Sequence, residues 1–199
     1  MLFEDSRLRR QMEFIVEIDK MKSIYRRSYL IDRSRHENDA EHSWHIATMA
    51  LFLSEYANER DIDLMRVVKM LLIHDLVEID AGDTFAYDAE GHKTKAEREE
   101  QAARRLFGLL PKEQGEESYR LWREFEEEAT PEAKFAVAMD RLHPMLLNYF
   151  TQGAGWKENG VSSEQVLAYN RKIAEGSERL WQFAQNLIRD AVAKGYLRP

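Results

Sequence analysis

Four residues invite a chemical reading first: His42, the adjacent pair His74-Asp75, and Asp140. The pair lies in LLIHDLVEIDAGD (71–83), where Leu71, Leu72, Ile73, Leu76, Val77 and Ile79 read as core. A carboxylate among such neighbours is costly unless it is paired, neutralised or bound to a metal. Successive helical residues point about 100° apart, so His74 and Asp75 can share one target that lies between their directions. His42 sits in ENDAEHSWH, and Asp140 sits in FAVAMDRLHPMLL among Phe135, Val137, Met139, Leu142 and Leu146. Taken singly, these residues have ordinary explanations: a core histidine, a helix cap, an ion pair with a nearby arginine. Taken together, three separate segments offer imidazole or carboxylate from partly apolar faces. Two nitrogen and two oxygen donors suit a first-row divalent cation that keeps positions open for water or substrate.

Further acids and bases surround this set. Glu78 is four residues from His74 and three from Asp75, on the same helical side. A carboxylate there can take or orient the proton of a water beside the metal. Asp83 follows Gly82, where the helix is expected to break; an Asx turn is its competing explanation. Asp80 reads as a solvated or capping acid. His45, one turn beyond His42, reads as packing or as support behind the ligands. His36, His92 and His143 lack ligand-like spacing, so one metal is expected.

The elements that must position these groups read as nearly all helix. Apolar spacing predicts a helix over 6–22, and Asn38 or Asp39 caps a second over 40–59. Asp63 caps a third that runs to about residue 79 and stops near Gly82. Thr94-Lys95-Ala96-Glu97 resembles a capping box for a helix to about Leu109. A charged helix follows over 112–128. Thr130-Pro131 opens one over 131–150. Ser162 through Gln165 opens another to Glu175, and Ser177 caps the last, closed by Gly195. No stretch alternates convincingly with period two. Pro144 cannot donate to the carbonyl of Asp140 and is expected to bend that helix at the acid. The loops 83–93 and 151–160 carry Tyr87 and Trp156, for which a stacking face and simple packing compete.

The 199 residues suffice for one domain, 1–199, with its metal-site core at about 20–150 and helices over 162–195 packed on it. A net charge of −7 argues against a nucleic-acid partner. The absence of cysteine rules out a disulfide scaffold or a thiolate-bound metal, and fits a cytoplasmic protein. No apolar run approaches a membrane span.

The ordered set His42, His74-Asp75, Asp140, with the contexts ENDAEHS and HDLVEIDAGD, resembles the HD-domain metal-dependent phosphohydrolases. Over roughly residues 20–150 it resembles the branch containing the bacterial HD-domain 5′-deoxynucleotidases. The resemblance implies an all-α HD-domain helical bundle holding one divalent ion (Mn, Co, Fe, Ni, Zn or Mg) on His42, His74, Asp75 and Asp140. It implies a phosphomonoesterase acting on a nucleoside 5′-monophosphate or similar small phosphate ester. Glu78 would ready the water, and Asp83 would contact a substrate hydroxyl. Counting back from His42 places Arg27 on the phosphate-contacting arginine, whose planar fork suits phosphate oxygens; Arg26 then reads as surface charge. Ser28 departs from the tryptophan found next in those enzymes, which leaves 2′-deoxy selectivity open. A phosphodiesterase on a cyclic or alarmone-type nucleotide is the enzymatic alternative. A non-catalytic metal-dependent nucleotide sensor is the alternative from another class. A homodimer is expected from the resemblance and from the apolar content of the last helices.

Overall fold

The computed structural model describes residues 5–88 and 90–199. Helices begin where local chemistry can satisfy their first N–H groups. Asn38 accepts from the Glu41 N–H at 2.9 Å, and the Glu41 carboxylate accepts in return from the Asn38 N–H, which opens helix α2 (Asp39–Leu53). Asp63 caps α3 (Leu64–Ile73). Thr130 accepts from the Ala133 N–H at the head of α7 (Pro131–Phe150), with Pro131 in the first turn. Ser162 and Gln165 form the reciprocal pair that starts α9 (Ser163–Asn170), and Ser177 caps α11 (Glu178–Ala193). The remaining helices are α1 (Ser6–Glu17), α4 (Glu78–Ala81), α5 (His92–Phe107), α6 (Lys112–Glu127), α8 (Ala154–Glu158) and α10 (Ile173–Gly176).

The spine is α7. Its Phe135, Ala136, Val137, Met139, Leu142 and Met145 are buried against α2, α3, α6, α10 and α11. A second, smaller cluster forms under α5 from Met21, Leu76, Val77, Ala102, Leu106, Phe107 and Trp122. The segment 74–77 lies between the two clusters: Leu76 and Val77 belong to the smaller one, while the His74 ring packs on Phe125 of the larger, centroids 4.7 Å apart.

Several expectations are corrected. The third helix does not run evenly to residue 79; it tightens into a 3₁₀ segment, His74–Val77, before α4. Three residues per turn replace 3.6 there, so adjacent side chains spread further apart. Leu72, expected in the core, is 47% exposed. Thr94 does not cap α5, which starts at His92; its hydroxyl accepts instead from Arg98 Nε. An antiparallel ribbon, β1 (Tyr25–Tyr29) with β2 (His36–Asn38), was not anticipated. Its register slips between the pairs Tyr25–Asn38 and Tyr29–His36, and its inward residues are polar, so no apolar alternation marks the strand in the sequence. The ribbon still turns Arg26 and Ser28 inward while Tyr25 and Arg27 face out. Trp156 sits in the short α8 rather than in a loop. Most of the apolar residues of the last helix face inward: Leu180, Trp181, Ala184, Leu187, Ile188 and Ala191 are buried, while Phe183 is exposed. Among the described residues no helix is long and apolar enough to cross a membrane.

Candidate metal centre and substrate pocket

Three elements deliver the four expected ligands to one place. His42 comes from the first turn of α2, His74 and Asp75 from the 3₁₀ segment, and Asp140 from the middle of α7. His42 Nε2 lies 2.9 Å from Asp140 Oδ1 and 3.9 Å from Asp75 Oδ2. His74 Nε2 lies 3.1 Å from Asp75 Oδ1 and 3.8 Å from Asp140 Oδ1. Metal bonds of about 2.1 Å would hold neighbouring donors about 3.0–3.4 Å apart at octahedral or tetrahedral angles. The observed spacings bracket that range.

The hydrogen bonding of His74 tests whether the site fits a cation. Its Nδ1 is 3.0 Å from the Leu71 carbonyl, which can only accept, so Nδ1 carries the proton. Nε2 is then the nitrogen left to take a cation or, in its place, a proton, and that buried atom has no hydrogen-bond partner. A neutral imidazole held by a backbone carbonyl with its other nitrogen bare is how a metal-ligating histidine is oriented. The donors therefore fit a divalent cation.

Charge balance supports the same fit. Asp75, Glu78, Asp83 and Asp140 line one pocket, with Asp39 buried beside them. Burial opposes protonation of His74, yet Asp75 and Asp140 outweigh it and lift its pKa to about 10. Burial, then the charge of Asp75, raises Asp39 to about 6. Burial, reinforced by Asp75 and Asp39, pushes Glu78 well above the usual carboxylate range. Crowded anions of this kind want a cation, and a bound metal reverses the local charge logic.

Glu78 is 6% exposed, and its Oε2 has no hydrogen-bond partner. It can share a cation-sized space with Asp75 and Asp39. Asp83 lines the pocket, its carboxyl raised by burial against the opposing pull of Arg26. Arg27 also lines the pocket, from the outer face of β1. Arg26, expected on the surface, is instead the inward arginine: Nη1 donates to Asp75 Oδ2 at 2.8 Å and to Asp39 Oδ1 at 3.3 Å. Strand alternation explains the exchange, since neighbouring strand residues face opposite sides. Asp80 is exposed and pairs with Arg105.

Away from the candidate ligands the pocket is aromatic and amide-rich. Phe85, Tyr87, Trp156 and Tyr169 line it, with Tyr87 5.3 Å from Phe85 and 5.5 Å from Tyr169 between centroids. The Arg141 guanidinium stacks over Tyr169 at 4.1 Å. Asn148, Asn159 and Asn170 supply amides to the same wall, Ser28 is buried along it, and Lys95 enters paired to Glu99 at 3.1 Å.

The family profile described as HD domain matches residues 18–181. The chain belongs to the HD domain family. It is 54% identical to a crystal structure described as a predicted metal-dependent phosphohydrolase from Magnetospirillum magnetotacticum MS-1. That match has a TM-score of 0.92 and covers 98% of this chain and 100% of the other. It is 30% identical to 5′-deoxynucleotidase HDDC2 of Bos taurus, over 69% of this chain and 66% of the relative. The Homo sapiens protein of the same name is 29% identical, over 68% and 65%. The chain thus spans just under two thirds of the length of these curated relatives. PH0347 protein from Pyrococcus horikoshii OT3, at 22% identity and a TM-score of 0.64, shares the fold.

Sequence spacing missed Asp39, Glu37 and His143. Asp39 was a rival for the cap, and once Asn38 takes that role its carboxylate is free to turn inward. His143 stands three residues beyond Asp140, as His45 does beyond His42; both intervals put the second residue on the ligand's own helical face. That signal was present in the sequence.

Proposed function

We propose that this chain is a divalent-metal-dependent phosphomonoesterase acting on a nucleoside 5′-monophosphate or a similar small phosphate ester. The observation that carries the proposal is the convergence of four ligand-type donors beside a buried Glu78 whose Oε2 lacks a hydrogen-bond partner, in a pocket that also offers arginine and aromatic faces. His42, His74, Asp75 and Asp140 would hold the cation. When bound, it supplies Lewis-acid polarisation of the phosphoryl group and lowers the pKa of the attacking water. Glu78 takes the proton of that water as its oxygen bonds to phosphorus and the phosphorus–ester oxygen bond breaks; the leaving oxygen takes up a proton from Glu78 or solvent, giving inorganic phosphate and an alcohol. Arg27, at the pocket wall, holds phosphate oxygens. Arg26 holds Asp75 in place and adds positive charge on the same side. Asp83 accepts from a substrate hydroxyl. The aromatic wall suits a base, and the asparagine amides suit its polar edge.

The names of the relatives support the same reading, both the predicted phosphohydrolase and the 5′-deoxynucleotidases. A single domain in the cytoplasm, forming a homodimer, belongs to this proposal. The cysteine-free composition supports the compartment, and exposed Trp44, Phe52, Met65 and Leu72 on α2 and α3 support the dimer. The test is a phosphate-release screen of nucleoside 5′-monophosphates, cyclic nucleotides and small sugar phosphates against Mn, Co, Fe, Ni, Zn and Mg. Release from 5′-monophosphates that vanishes on chelation is expected. No release from any compound with any metal would refute the proposal.

A further inference from the structure

Behind His42 lies a row of imidazoles that the proposed reaction does not use. His42 Nδ1 is 3.1 Å from His143 Nδ1, and His143 Nε2 is 2.9 Å from His45 Nδ1. His143 is 1% exposed, and His45 is half-buried. Each short nitrogen–nitrogen contact needs one donor and one acceptor. If Nε2 of His42 gives its lone pair to the cation, Nδ1 must carry the proton and donate to His143 Nδ1. His143 Nδ1 is then an acceptor, so the proton of that neutral ring sits on Nε2 and is donated to His45 Nδ1. One assignment at His42 fixes every nitrogen along the row.

Glu37 provides an independent check. Its carboxylate is 1% exposed, with Oε2 3.6 Å from His42 Nδ1 and Oε1 3.7 Å from His143 Nε2. Neither separation is a hydrogen bond. Yet the two nitrogens nearest this buried anion are the two that the assignment makes N–H groups. The field of Glu37 thus favours protons on those atoms and bare lone pairs on His42 Nε2 and His143 Nδ1.

We propose that His143 and His45, biased by Glu37, are positioning residues that lock His42 in the tautomer and orientation required to bind the cation. The inference rests on the proposed role of His42 as a ligand. Glu37, His45 and His143 also lie close enough together to hold a metal of their own. A metal there would need the lone pair of His143 Nε2. The proton would move to His143 Nδ1 and face the Nδ1 proton of His42 at 3.1 Å, two donors against each other. The relay is therefore favoured over a second metal site.

The test uses zinc alone, with affinity read by competition with a chromophoric chelator. His143→Asn places a carbonyl oxygen where Nδ1 stands and keeps the acceptor for His42. His143→Gln and His143→Leu remove it. Loss of a group that orients a metal-ligating histidine typically costs about 10–100-fold in affinity. We expect that loss for the Gln and Leu variants, with the Asn variant close to the parent. Should the Leu variant not fold, the Gln and Asn pair decides. Nitrogen-15 spectra of the zinc-loaded parent should show protons on His42 Nδ1 and His143 Nε2. The inference is overturned if the Gln and Leu variants bind zinc like the parent while His42→Ala does not. It is also overturned if the spectra give the reverse tautomers, or if His45→Ala releases one of two bound zinc equivalents. Unchanged zinc binding in His42→Ala would instead remove the ligand assignment beneath it.

Discussion

Replacing Arg26 with methionine should weaken the metal-free protein and tighten its hold on a cation. Without metal, the guanidinium faces Asp75 at 2.8 Å, Asp39 at 3.3 Å and Asp140 at 4.0 Å, with its side chain 15% exposed. Removing one partner of a buried ion pair typically costs about 3–5 kcal/mol, and residual exposure places this case at about 3. Methionine keeps the apolar stem, so packing changes little and the loss is electrostatic. For a chain of this size about 3 kcal/mol corresponds to a Tm lower by about 6–12 °C. A bound divalent ion offsets the same carboxylates and no longer meets the positive charge of Arg26. If it recovers about half of the loss, roughly 1.4 kcal/mol, its Kd falls about tenfold. Thermal melts of chelated protein, with manganese titrations of parent and variant, measure both quantities. An unchanged Tm in chelator, or weaker manganese binding by the variant, would refute this account of the site's charge balance.

Other outcomes follow from the same geometry. His74→Ala or Asp140→Ala should leave purified protein without metal by elemental analysis, because each removes one of four protein donors. Glu78→Gln should keep the metal and the fold but lower turnover by about 10²–10⁴-fold, the usual contribution of a general acid–base group; near-parent turnover with metal retained would dismiss Glu78 as the proton acceptor. Gly153→Ala should destabilise the fold by about 1–3 kcal/mol in a denaturant melt without altering metal content. Gly153 has φ +76°, and a Cβ there would collide with the Tyr196 carbonyl oxygen.

Helix starts were legible because their signals are local. Thr130-Pro131, Ser162 with Gln165, and Ser177 each satisfy N–H groups within a few residues, so the sequence alone names them. The ribbon was not legible, because its pairs, Tyr25–Asn38 and Tyr29–His36, are not neighbours in sequence and its inward residues, Arg26 and Ser28, are polar, so no apolar alternation shows. That omission also governed the arginines. With no strand anticipated at 24–30, only the count back from His42 ranks Arg27 above Arg26; as a strand, the burial of Ser28 puts Arg26 on the inner face. The 3₁₀ turn at His74 was hidden because residue types there resemble any amphipathic helix. The candidate ligand cluster of His42, His74, Asp75 and Asp140 was legible as a cluster because imidazole and carboxylate on apolar faces are rare enough to stand out in three segments at once. His143 and His45 were readable in principle from their spacing to Asp140 and His42, but their pairing exists only once α2 packs on α7.

Anomalous diffraction at the cobalt edge, from crystals of the intact chain grown with Co(II), tests the central claim most directly. The account predicts one strong peak with His42 Nε2, His74 Nε2, Asp75 and Asp140 at about 2.0–2.2 Å. Cobalt absent from that position, or seated instead among Glu37, His45 and His143, would contradict it.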